Sequence, residues 1–160
     1  MSMHRVTAKA GISARGRQVA VVAARFNAEI VDAMVTGAIA AWVRHDGNPE
    51  SLTVVRTPGA FELALAARKL AQTGRYDAIV ALGCVIRGET AHFEFVAGEA
   101  ARGIAEAARD TGVPVAFGVL TTEDVEQAME RALPDRMDKG GEALESALEM
   151  AQLLEEIGAP

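Results

Sequence analysis

Four short runs rich in Val and Ala, each followed by a polar turn and then a helix-period segment, constrain this chain most. They are Gln18 to Ala24 (QVAVVAA), Leu52 to Arg56 (LTVVR), Ala78 to Cys84 (AIVALGC) and Val113 to Val119 (VPVAFGV). Each is the length of a strand and too uniformly apolar to have one wet face, so each reads as a strand buried on both sides. Between them apolar residues recur at helical spacing. Val31, Met34, Val35, Ala38 and Trp42 mark one helix, and Leu63, Ala66, Ala67, Leu70 and Ala71 a second. Phe93, Val96, Ala97, Ala100, Ala101 and Ile104 mark a third. Val125, Ala128, Met129 and Ala132 form the inward face of a fourth helix, which Thr121 or Thr122 is placed to cap. Leu144, Ala147, Leu148 and Ala151 form a fifth, beyond a turn at Lys139-Gly140-Gly141. This alternation predicts an α/β fold, a four-stranded parallel sheet with helices on both faces in three layers. In such sheets ligands bind at the carboxyl ends of the strands.

The chain has 160 residues, half of them hydrophobic, which suits one domain with a sizeable core. That domain is expected over 17–160, after a flexible polar arm at 1–16. Sixteen Lys and Arg against 22 Asp and Glu give a net charge of −6. An acidic chain with no basic cluster is poorly suited to nucleic acid, so no such partner is expected. The single cysteine, Cys84, rules out an intrachain disulfide, and no ligand cluster surrounds it for a metal. No run reaches the roughly 18–20 apolar residues of a membrane helix, and no signal-like segment opens the chain. The expectation is a cytoplasmic protein that does not enter a membrane.

The third strand-to-helix junction, Gly83 to Phe93, is the richest. Its two glycines and Thr90 match the spacing of a phosphate-binding P-loop, but Glu89 stands where that loop carries its lysine. A carboxylate there repels nucleotide phosphates and disfavours nucleotide hydrolysis. What remains is a turn offering backbone N–H groups at a helix N-terminus, suited to one phosphate; the same spacing alone also fits an ordinary strand-to-helix turn with a capping Thr. His92 lies in the helix's first turn, where it is either a proton carrier near neutral pH or a capping, partly exposed histidine. His4 and His45 lie in the arm and at a helix end, and are read as structural. The first junction presents Phe26, either a plug for the core rim or a stacking face for a planar ligand. The second presents Glu62 at a helix start, where a carboxylate suits the dipole. Arg131 and Lys139 are the other cations placed to meet an anionic substrate. Cys84 reads as a small buried hydrophobe.

Five segments together carry a resemblance: RFN at 25–27, TPGAFELALAARKLA at 57–71, ALGCVIRGETAHFEFVAGEAARGI at 81–104, PVAFGVLTTEDVEQAMERA at 114–132 and KGGEALESALEMA at 139–151. In order and spacing they resemble the 6,7-dimethyl-8-ribityllumazine synthase family, across nearly everything from 17 to 155. The resemblance implies a flavodoxin-like sheet. It also implies condensation of 5-amino-6-(D-ribitylamino)uracil with 3,4-dihydroxy-2-butanone 4-phosphate, two small-molecule substrates, without metal or other cofactor. The products are the lumazine, inorganic phosphate and water.

Residue by residue, it implies that Phe26 stacks on the pyrimidine with Asn27 beside it. Ala60, Phe61 and Glu62 hold the ribityl chain, and Val85 and Ile86 contact the pyrimidine edge. Gly88, Glu89, Thr90 and Arg131 bind phosphate, and His92 transfers protons. Phe117 and Lys139 reach the site from a neighbouring subunit, with Glu142 near that lysine. The implied partner is thus a second copy, in a ring of five chains or a stacked pair of rings. Between Arg131 and Lys139 many relatives carry a glycine-rich loop, whereas this chain has Ala132-Leu133-Pro134-Asp135-Arg136-Met137-Asp138. That stiffer segment argues against a larger shell. Two other activities share the scaffold: an archaeal-type riboflavin synthase, which needs no phosphate site, and a non-catalytic lumazine- or flavin-binding module. Gly88-Glu89-Thr90 with Arg131 argue against the first, and His92 with both cations against the second.

Overall fold

A computed structural model describes residues 11–158. Strands β1 (Val19–Ala24), β2 (Thr53–Thr57), β3 (Ala78–Ile86) and β4 (Val115–Thr122) form one sheet in the order β2-β1-β3-β4. Every pairing is parallel. Helices α1 (Ala28–Arg44), α2 (Leu63–Gln72), α3 (His92–Thr111), α4 (Val125–Ala132) and α5 (Lys139–Gly158) connect or follow the strands.

The pleat divides β1 between two cores. Val19, Val21 and Ala23 join Met34, Trp42, Leu144 and Leu148 under α1 and α5, while Ala20, Val22 and Ala24 join Leu63, Ala67 and Ile104 under α2 and α3. All six strand residues are buried, as the unbroken apolar run requires. Fully burying each Val contributes about 1.5–3 kcal/mol, so β1 is anchored from both faces. At the α1–α5 crossing, a Cβ on Gly140 would overlap the backbone of Met34.

Three local expectations need correction. Asp124, not Thr121 or Thr122, caps α4, its carboxylate accepting from the Gln127 N–H at 2.8 Å. Thr122 is buried and its hydroxyl donates to the Asp124 carbonyl. Lys139-Gly140-Gly141 is the first turn of α5 and not a turn before it; Asp138 precedes it with φ 46° and its carboxylate accepts from the Gly141 N–H. Val125 is exposed on α4. Residues 1–10 of the expected arm lie outside the described residues. From Gly11 onward the chain is seated: Ala14 is buried, and its N–H donates to the His45 carbonyl at 2.8 Å.

Candidate active site at the strand carboxyl ends

The chain leaves β1 toward β2 on one side of the sheet and β3 toward β4 on the other. The switch point therefore lies between the ends of β1 and β3, where such sheets hold ligands. A cavity of about 910 Å³ opens there. Backbone and side-chain hydrogen bonds tie the loops around it together. Arg25 N–H donates to the Thr57 carbonyl at 2.8 Å and Phe26 N–H to the Pro58 carbonyl at 3.1 Å. Asn27 Nδ2 donates to the Cys84 carbonyl at 2.8 Å. The Arg87 N–H reaches the Thr122 carbonyl at 2.9 Å, so all four strand ends are linked.

Ten of the expected site residues line this cavity: Phe26, Asn27, Ala60, Phe61, Glu62, Val85, Ile86, Gly88, Thr90 and His92. Glu89 shares the loop with Gly88 and Thr90 but does not line the cavity. Phe26 is 71% exposed and Phe61 58%, so Phe26 does not plug the core rim; it presents its ring to solvent and to the cavity. Glu62 ends a short 3-10 turn, Ala60–Glu62, immediately before α2. The N–H groups of Gly88, Glu89, Thr90 and Ala91 donate to no acceptor among the described residues. Four such donors, just ahead of the α3 N-terminus, are a ready cradle for an anion. His92, the first residue of α3, is exposed beside them.

Phe117, Arg131 and Lys139 lie elsewhere. They line a separate groove of about 380 Å³ against β4 and α5, and no residue lines both spaces. Arg131 donates to the Gln127 carbonyl of its own helix at 3.0 Å and has no carboxylate partner among the described residues. Lys139 Nζ is 3.1 Å from Glu142, which lines the same groove. Phe117 is 49% exposed.

Some of the lining escaped the sequence reading. Pro58, Gly59, Cys84, Phe93, Phe95 and Val96 also face the cavity. Phe95 is 71% exposed and stands off the apolar stripe of α3, which was the available signal: an aromatic out of phase with a core stripe has another use. The buried Cys84 thiol is pushed up by desolvation from its ordinary 9.0 to about 11. His45 contacts Glu145 at 3.2 Å, away from the cavity, and His4 lies outside the described residues. Among the described residues no cluster of three acidic, His or Cys side chains is arranged to hold a metal ion. No helix among them is long and apolar enough to cross a membrane.

A sequence model of the 6,7-dimethyl-8-ribityllumazine synthase family matches residues 16–155. The chain belongs to this family. Proteins described by the same name in Nitratidesulfovibrio vulgaris strains DP4 and Hildenborough are each 48% identical to it over 155 residues, 97% of this chain and 99% of theirs. The protein of strain Miyazaki F shows the same identity and coverage. Lumazine synthases serve riboflavin biosynthesis and join two substrates without a cofactor. The matched span contains both the cavity and the Arg131–Lys139 groove.

Proposed function

We propose that this lumazine synthase builds each active site from two chains. The cavity of one chain supplies the pyrimidine seat, the phosphate cradle and His92; the groove of its neighbour supplies Phe117, Arg131 and Lys139. One observation carries this reading: the two sets of residues stand in separate spaces of one chain, each complete in only half of what the reaction needs.

In the assembled site Phe26 stacks on the pyrimidine, and Glu62 accepts from the ribityl hydroxyls. The N–H groups of Gly88 to Thr90 hold the phosphate, with Arg131 pairing to it from the neighbour. The pyrimidine's 5-amino group attacks the ketone and the first water leaves as an imine forms. Proton loss from the sugar-derived carbon then expels phosphate, and its departure is eased by the fixed N–H dipoles and the Arg131 charge. The enol left by that elimination takes up a proton at its terminal carbon and becomes a ketone; the ribitylamino nitrogen closes the ring on this new carbonyl and the second water leaves. His92, exposed next to the cradle, carries the protons for these steps. Holding two substrates in one orientation supplies much of the rest of the acceleration.

A single domain over 17–160 acts in the cytoplasm as a ring of five such chains, or two stacked rings, so that every cavity meets a groove. The test is complementation. His92→Ala, slowed in turnover, and Arg131→Ala, assayed with the phosphorylated substrate below its raised KM, are dissociated together and reassembled. A share of the mixed sites then contains both native halves, and lumazine fluorescence returns. Confirmed mixing without recovered activity would place each site within one chain.

A further inference from the structure

We infer that Arg87 is a positioning residue for the phosphate cradle: a clamp that holds the Gly88–Thr90 loop and the start of α3 in place, and not itself a ligand of the phosphate. The inference deepens the reading above and rests on it.

Gly88 to Ala91 donate no backbone hydrogen bond to any acceptor among the described residues, and a Cβ at Gly88 would meet nothing within 4 Å. The loop that should fix an anion therefore has almost nothing of its own to fix it. Arg87, one residue before it, is held four ways. Its N–H donates to the Thr122 carbonyl at 2.9 Å. Its Nε donates to Glu123 at 2.8 Å, and its Nη1 donates to Glu94 in the first turn of α3. Its guanidinium carbon lies 4.4 Å from the centre of the Phe93 ring. One planar side chain thus joins the end of β4 to the start of α3 and brackets the cradle from both ends.

Charge accounting separates the clamp from a ligand. Two carboxylates and an aromatic face already meet the guanidinium, which leaves little of its charge for an incoming dianion. The ion pairs are also partly exposed, the Arg87 side chain at 39%, and such pairs contribute little to overall stability. Their use is geometric. A fork that binds two carboxylates while stacking on a ring cannot be copied by an ammonium group.

Three variants and the wild type are compared as assembled oligomers. The readouts are inorganic phosphate affinity, KM for each substrate, kcat and thermal midpoint. Glu123→Gln weakens one arm of the clamp from outside the cavity, Arg87→Lys keeps the charge but loses the fork, and Thr90→Pro removes one N–H of the cradle itself. Thr90→Pro is expected to weaken phosphate binding. Arg87→Lys should raise the phosphorylated substrate's KM about tenfold and Glu123→Gln severalfold, with the pyrimidine KM within about twofold of wild type. Thermal midpoints should stay near wild type. If Thr90→Pro leaves phosphate affinity unchanged, the cradle reading itself fails. If Thr90→Pro weakens phosphate but Arg87→Lys and Glu123→Gln do not, or if they raise both KM values equally, the clamp is overturned while the cradle stands.

Discussion

Asn27 sits in the left-handed region, at φ 61°, and spends its side-chain amide on the Cys84 carbonyl 2.8 Å away. An asparagine opening a helix usually turns its oxygen onto that helix's own N–H groups. Asn27 makes no such bond to α1. It bridges the β1 and β3 ends instead, one residue after Phe26.

Two penalties are therefore separable at this position. Asn27→Gly keeps the left-handed backbone and loses the bridge, at about 1 kcal/mol. Asn27→Ala loses the bridge and adds about 1–2 kcal/mol for a left-handed alanine. Denaturant unfolding should rank wild type, Gly, then Ala, and both variants should bind the pyrimidine more weakly. An alanine variant as stable as the glycine one would mean that φ at 27 carries no strain.

His92→Ala should slow turnover by roughly 10²-fold or less while leaving substrate affinities nearly unchanged, because positioning and phosphate stabilisation remain. Steady-state kinetics with both substrates give the answer. Unchanged kcat would remove His92 from proton transfer.

Arg131→Ala should raise the KM of the phosphorylated substrate much more than that of the pyrimidine, through loss of a charge-assisted contact to a dianion. Equal effects would make Arg131 a structural residue.

The Cys84 thiol should resist alkylation in the folded protein at pH 8 and react quickly once unfolded, since burial raises its pKa to about 11. The same shift has a sign for stability. Its folded pKa lies above the ordinary 9.0, so its contribution is fully present below pH 9 and falls as pH rises toward 11. Cys84→Ala should show less loss of stability across that window; an identical loss would exclude the thiol as its source.

Assembly should stop at a ring or a pair of rings. Leu133 is extended at φ −65°, ψ 131°, as proline favours in the residue before it; two backbone bonds to its carbonyl close the 133–138 turn, and Met137 N–H ties it to the Glu130 carbonyl of α4. Analytical ultracentrifugation should give about 80 kDa for five chains of 16.8 kDa, or twice that. A megadalton particle would contradict it.

The strands were legible because buried parallel strands are written as unbroken apolar runs, and β1 is one in all six residues. The cavity was legible because each of its motifs sits directly after such a run. Asp124 was missed as a cap because Thr121 and Thr122 offer a capping oxygen three and two residues earlier, and only burial of Thr122 removes it from competition. Lys139-Gly140-Gly141 reads as a turn because glycine weakens an isolated helix. Inside the fold those glycines permit a close crossing, and tertiary contact overrides propensity. Arg87 was invisible because its role depends on Glu94 and Glu123 converging from different elements, which no spacing announces.

The α1–α5 crossing works as a ruler. Gly140 rests against the Met34 backbone with no space for a methyl group, and Lys139 is its immediate neighbour. Any side chain at 140 must lever the start of α5 away from α1 and carry the Lys139 ammonium with it. A displacement on the order of 1 Å at a positioning group is enough to cost a reaction about 10²-fold. A carbon that is absent at Gly140 thereby sets the reach of the cation on Lys139, the residue before it.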